Sequence, residues 1–112
     1  MLTIYHNPRC SKSRACLQLL QEKGVKVGVV DYRQQPLSLE LLHTFASELG
    51  IQAMVRSNEP TYTELGLAHA DEETILKAII KFPQLLQRPI VVDDKRILIA
   101  RPPEKVLEWL ND

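Results

Sequence analysis

The segment His6-Asn7-Pro8-Arg9-Cys10-Ser11-Lys12-Ser13-Arg14 gathers a thiol, a histidine and three basic side chains within nine positions. It follows a short apolar run, Leu2-Thr3-Ile4-Tyr5, and leads directly into an apolar-periodic stretch, which places Cys10 where a strand hands over to a helix. At a helix N-terminus the first backbone N–H groups lack intrahelical acceptors and the macrodipole is positive, so a thiolate is favoured over a thiol. Arg14 stands one turn on, and helical side chains lean toward the N-terminus, so its guanidinium is expected to lie over the sulfur, with Lys12 and Arg9 adding to the field. The competing reading makes Cys10 a small inert hydrophobe in a turn, as many free cysteines are. Three basic neighbours argue against it. Cys10-x-x-Ser13 also has the spacing of a redox Cys-x-x-Cys motif with the second thiol replaced by a hydroxyl. Exchange begun at Cys10 must then finish with an outside thiol.

The elements that hold this segment can be followed along the chain. Ser13, Cys16, Leu17 and Leu20 keep helical spacing and Gly24 supplies a stop. Cys16 lies six residues beyond Cys10, about 240° round the helix. Its thiol is therefore expected in the core, as a structural residue rather than a resolving one. The β-branched run from Val25 to Tyr32 completes a βαβ unit with parallel strands. Ser38 caps an amphipathic helix with Leu41, Leu42, Phe45, Ala46 and Leu49 on its apolar face, ended by Gly50. A short apolar piece, 51–55, leads to Arg56; 57–70 reads as loop; and Asp71 caps a helix with a stripe at Ile75, Leu76, Ile79 and Ile80 that stops near Pro83. A hairpin follows, Ile90-Val91-Val92 and Arg96-Ile97-Leu98-Ile99, and then a helix from Pro102-Pro103-Glu104 that is expected to bury Val106, Leu107 and Leu110. The order β-α-β, helical insertion at about 38–87, β-β-α predicts one α/β domain over 1–112, a four-stranded mixed sheet flanked by helices.

Two hairpin loops are open. With Asp94-Lys95 as a two-residue loop, Arg88 faces Arg101; with three residues, Arg88 faces Ala100. In both cases two guanidiniums share the open end, and arginine cannot lose its proton to relieve the repulsion, so an anion is expected beside them. That anion is either a ligand or the carboxylate of Glu104 in a plain ion pair. The Arg88–Pro89 bond at the head of the strand can be cis.

Composition narrows the partners. Fourteen basic and fourteen acidic residues cancel, so no global field exists for nucleic acid or an acidic membrane surface, and anion binding must come from local clusters. No apolar run approaches the roughly 18 residues of a membrane span, and the first strand starts at Leu2 without a charged leader. The expectation is a cytoplasmic protein. Two cysteines six positions apart, without a secretory signal, read as reduced thiols. No His/Cys pair has metal-ligand spacing and no glycine-rich phosphate loop occurs, so neither metal nor bound organic cofactor is expected.

Four pieces, Tyr5-His6-Asn7-Pro8-Arg9-Cys10 with Ser13-Arg14, Tyr62-Thr63-Glu64-Leu65-Gly66-Leu67, Arg88-Pro89-Ile90-Val91-Val92 and Arg101-Pro102-Pro103-Glu104-Lys105-Val106-Leu107, occur in the order in which they occur in the glutaredoxin-dependent arsenate reductases. The chain resembles this ArsC-like family of the thioredoxin-like superfamily over nearly its whole length. The resemblance implies a thioredoxin-like sheet with a helical insertion, Cys10 as nucleophile, and arginines at 56, 88 and 101 holding the oxyanion with Ser13 and Arg14. It places His6, Asn7, Ser11, Lys12 and Pro89 in the supporting loop and implies a cis peptide before Pro89. It also implies reduction of arsenate through a Cys10 adduct, with glutathione as reducing co-substrate and glutaredoxin as partner. The loop departs from the Cys-Gly-Thr-Ser-Arg form of well-known arsenate reducers, since Ser11 and Lys12 stand where glycine and threonine would; anion binding is expected to survive, with another small oxyanion as an alternative substrate. Two rivals share the architecture. One is a glutathione-linked thiol-disulfide transferase. The other resembles the Spx-type regulators that bind RNA polymerase, but these sense redox state through Cys-x-x-Cys, which Ser13 interrupts.

Overall fold

The computed structural model describes residues 1–111; Asp112, the end of the expected domain 1–112, lies outside the described residues. The elements in chain order are β1 (Leu2–His6), α1 (Ser11–Glu22), β2 (Val27–Asp31), α2 (Leu39–Leu49), α3 (Ile51–Met54), α4 (Pro60–Glu64), a 3₁₀ turn (Leu67–His69), α5 (Glu72–Lys81), a second 3₁₀ turn (Pro83–Leu85), β3 (Ile90–Val92), β4 (Ile97–Ile99) and α6 (Lys105–Leu110). The chain divides into two compact units, Met1–Gln35 with the segment from Arg88 onward, and Pro36–Gln87.

The first unit holds the sheet, in the order β2-β1-β3-β4. β1 pairs with β2 in parallel and with β3 antiparallel, and β3 pairs antiparallel with β4. This is the four-stranded mixed sheet read from the sequence. Leu2 and Ile4 point by the two-residue strand period into a core completed by Cys16 and Leu20 of α1, Val91, Ala100, and Val106 and Trp109 of α6. His6 continues the same face and is buried. It therefore meets α1 instead of water.

The hairpin takes the two-residue loop. Val92 faces Ile97, and Asp93 N–H donates to the Arg96 carbonyl at 3.0 Å. Counting back sets Arg88 opposite Arg101. Both Arg88–Pro89 and Arg101–Pro102 peptides are cis; the first was expected and the second was not. α6 begins at Lys105, because Pro102 to Glu104 form a turn in which Lys105 N–H reaches the Pro102 carbonyl at 3.1 Å. Val106 and Trp109 are the residues α6 buries, whereas Leu107 and Leu110 are only partly covered. Trp109 takes the inward position because its ring is roofed by the Arg96 guanidinium at 4.4 Å and its carbonyl accepts from Arg96 Nη1 at 2.9 Å.

In the second unit, Ser38 Oγ accepts from Leu41 N–H and Asp71 Oδ1 from Thr74 N–H, capping α2 and α5 as their sequences predict. α2 packs against α3 and α5, with Leu42, Phe45, Ala46, Ile75, Leu76 and Ile79 buried. The stretch 57–70, expected to be loop, contains α4 and a 3₁₀ turn. Pro60 starts α4 at its first turn, and Tyr62 and Leu67 are buried. Five residues are too few for helical periodicity to stand out in the sequence. Among the described residues no helix is long and apolar enough to cross a membrane.

Candidate active site

Cys10 is the N-cap of α1, with extended backbone (φ −92°, ψ 121°). Its N–H donates to the Asn7 carbonyl at 2.9 Å and its carbonyl accepts from Arg14 N–H at 3.0 Å, so the turn is pinned on both sides of the thiol. Asn7, buried, closes the loop with its side chain, whose Oδ1 accepts from Arg9 N–H at 3.0 Å. Ser13 is fully buried; its Oγ lies 2.7 Å from His6 Nδ1 and accepts from Asn7 N–H at 3.1 Å. Its hydroxyl thus ties the end of β1 to the first turn of α1. What Ser13 turns toward the thiol is its backbone amide.

Burial of the sulfur acts to raise the Cys10 pKa. It is outweighed by the Ser13 amide, the Arg88 guanidinium, the Lys12 amide and the Arg101 guanidinium, which bring it down to about 7. Arg101 Nη1 lies 3.9 Å from Cys10 Sγ and donates to the Arg88 carbonyl at 2.8 Å. The hairpin end that carries two like charges therefore has the Cys10 thiolate beside it. Among the described residues no ion pair joins Glu104 to Arg101.

The expected source of the field at the sulfur is corrected in part. Arg14 donates from Nη1 to the Pro8 carbonyl at 2.9 Å and is held along the loop. The groups that draw the thiol down most are two helix amides and the two hairpin arginines. Ser11 is exposed at the first helical position and Pro89 is buried. Arg56 belongs to the helical unit, where its N–H donates to the Leu85 carbonyl at 2.7 Å and its Nη1 lies 3.7 Å from Glu59 Oε1.

Burial lowers the His6 pKa, with Asp31 opposing and Arg14 and Arg33 assisting, which favours the neutral imidazole. Asp31 escaped the reading of the sequence. The parallel register sets it opposite His6, and Arg33 holds it in a two-point pair at 3.1 and 3.0 Å. Aligning the ends of β1 and β2 in the βαβ unit was the signal that could have found it. Cys16 is fully buried, and burial pushes its thiol up to about 12. Only Cys10 is equipped to be a nucleophile near neutral pH.

A four-stranded mixed sheet with a lone activated thiol at the β1–α1 turn defines a thioredoxin-like thiol protein. The ArsC family model matches residues 5–109. Relatives include the uncharacterized protein YfgD of Escherichia coli (strain K12), 44% identical over 110 residues that cover 94% of this chain and 92% of that one. They also include an arsenate reductase of Neisseria meningitidis serogroup A, 41% identical over 110 residues and 94% of each chain. In structure the chain is similar to an arsenate reductase from Vibrio cholerae, with a TM-score of 0.90 and 39% identity over 96% of this chain and 95% of that one. The chain belongs to the ArsC family.

Proposed function

We propose that this protein reduces arsenate to arsenite in the cytoplasm, with Cys10 as nucleophile, glutathione as reductant and glutaredoxin as the partner that restores the thiol. The observation that carries the reading is a thiol with a pKa of about 7 set against Arg101 and the first amides of α1, in a chain of the ArsC family. About half of such a thiol is thiolate at pH 7, against a few per cent of a free cysteine.

The chemistry balances as follows. Cys10 Sγ attacks arsenic(V); an As–S bond forms and one arsenate oxygen leaves as water after taking up protons. Arg88, Arg101 and the amides of Lys12 and Ser13 stabilise the remaining oxyanion. Glutathione thiolate then attacks Cys10 Sγ. The S–As bond breaks with its electron pair on arsenic, arsenic(V) becomes arsenic(III), and arsenite departs, leaving Cys10 in a mixed disulfide with glutathione. Glutaredoxin thiolate attacks the glutathione sulfur and Cys10 thiolate returns. The inaccessibility of Cys16 supports an outside thiol for the second step. These steps call for no bound metal.

Purified protein given arsenate, glutathione and glutaredoxin is expected to form arsenite, and Cys10→Ser to form none. Absence of arsenite from the wild-type protein would overturn the reading. Arg101→Lys keeps the charge but loses the planar fork, and kcat/KM is expected to fall about tenfold or more while the circular dichroism spectrum is unchanged. The family pattern also assigns Arg56 and Arg14 to the oxyanion, and Arg56→Lys and Arg14→Lys test those assignments separately. The single accessible thiol equally suits a glutathione-linked disulfide transferase. Faster turnover of a glutathionylated protein than of arsenate would favour that alternative.

A further inference from the structure

The hydrogen bond between His6 and Ser13 has a direction that its surroundings fix. Ser13 is fully buried, and its Oγ accepts from Asn7 N–H at 3.1 Å while lying 2.7 Å from His6 Nδ1. Among the described residues Ser13 Oγ has no other hydrogen-bond partner. A hydroxyl has one proton to donate and two lone pairs to offer. Were Nδ1 to carry a hydrogen, Oγ would accept twice and its own O–H would point into the protein without an acceptor, a state that buried hydroxyls avoid. Every group is satisfied when the Ser13 O–H donates to a bare Nδ1 and the imidazole hydrogen sits on Nε2. The next proton that His6 takes up must then go to Nδ1, the atom that holds the Ser13 hydroxyl.

We propose that His6 is a positioning residue for Cys10 that works through Ser13: the neutral imidazole accepts the Ser13 hydroxyl and holds the first turn of α1 with its amide toward the sulfur, and a proton on Nδ1 releases it. The Ser13 amide comes first among the groups that lower the Cys10 pKa, and the side chain of the same residue is what His6 grips. The charged groups that act most on His6 come from two sides. Asp31, opposite it on β2, favours the imidazolium; Arg14 of α1 and Arg33 beyond β2 disfavour it. On the third side the register of β1 with β3, continued one residue, sets His6 beside Pro89, which bears no charge. Arg33 also pairs with Asp31 at 3.1 and 3.0 Å and so blunts the carboxylate that promotes protonation. The inference rests on Cys10 as the reactive thiol, not on arsenate as its substrate.

Two-bond proton–nitrogen NMR spectra of the full chain read the tautomer directly. The Nε2–H form with a bare Nδ1 is expected at about pH 7.5, and the Nδ1–H form would overturn the proposal. Alkylation of Cys10 by uncharged iodoacetamide, followed by mass spectrometry, reads the consequence. Loss of thiolate alone lowers the rate about tenfold per pH unit below the thiol pKa. Release of the turn adds to that loss, so the wild-type rate is expected to fall by about thirtyfold per unit across the His6 titration that the same spectra follow. His6→Asn sets an amide oxygen that does not titrate near the place of Nδ1, and is expected to bring the fall back to about tenfold. Asp31→Asn is expected to move the steep interval to lower pH and Arg33→Gln to higher pH, each together with the His6 titration. A tenfold fall throughout in the wild type, or a steep interval that persists in His6→Asn, would overturn the proposal. Should His6→Asn not fold, the other two variants decide: a steep interval that stays in place while the His6 titration moves sinks it. No arsenate enters this assay. Loss of arsenite formation with the steep interval intact would therefore count against arsenate as substrate and leave the role of His6 standing.

Discussion

The chemistry depends on one sulfur and on the hydroxyl that fixes its turn. Ser13 Oγ serves His6 Nδ1 and Asn7 N–H at once, inside the protein. Removing it leaves both groups buried without that partner, and Ser13→Ala is expected to cost roughly 1–3 kcal/mol in urea unfolding. Alkylation of Cys10 in the same variant is expected to slow at pH 7, because the Ser13 amide is held toward the sulfur by the same anchored turn. Cys16 is the contrasting case. Its thiol fills space in the core, so Cys16→Ala is expected to lose about 1 kcal/mol and to keep most of the reductase activity. Equal loss of activity in Cys16→Ala and Cys10→Ser would make Cys16 a resolving thiol. Iodoacetamide labelling of Cys10 against pH is expected to show a midpoint near 7.

Among the elements, the β3–β4 hairpin does the most to shape the site, since its register brings Arg88 and Arg101 to one end. At its other end Arg96 clasps α6: the guanidinium stacks over Trp109 at 4.4 Å, donates to the Trp109 carbonyl and pairs with Asp93. Stacking and the carbonyl bond are together worth about 1–2 kcal/mol at a partly exposed position. Arg96→Ala is expected to lower unfolding free energy by about that amount, with Arg96→Lys between it and wild type. A change of less than about 0.3 kcal/mol in Arg96→Ala would mean that α6 is held by Val106 and the Trp109 ring alone.

Between about pH 9 and 5.5 the stability of the whole molecule is governed most by two groups whose native pKa values are depressed. Cys10 falls from an ordinary 9.0 to about 7, so its contribution is complete above pH 9 and is lost as pH falls through 7. His6 falls below its ordinary 6.5, so the unfolded chain binds the proton more readily, and its contribution is present above pH 6.5 and lost below it. Both act in the same direction. Urea midpoints are expected to decline from pH 9 to 7 and again from 6.5 to 5.5, with Cys10→Ser flattening the first decline and His6→Gln the second. A midpoint that rises on acidification over either interval would contradict the corresponding assignment.

Much of this protein was legible in its sequence, and the parts that were not have a common cause. The βαβ unit, the caps at Ser38 and Asp71, the strand-to-helix turn under Cys10 and the inward place of Cys16 follow from periodicity, stop signals and helix geometry, all of which act over a few residues. Even the pairing of Arg88 with Arg101 was one of two arrangements the hairpin allowed. Local spacing could not say which cations reach the sulfur. Arg14, four residues from Cys10, is drawn along the loop by the Pro8 carbonyl, while Arg101, 91 residues away, lies against it. Likewise α4 was too short to show a period, and Trp109 displaced Leu107 and Leu110 from the most buried positions once Arg96 was there to cover it. The direction of a long side chain is set by the acceptors and surfaces around its tip. Distant segments supply these, so the chain specified the turn and the thiol by itself, and the tertiary structure decided what activates the thiol.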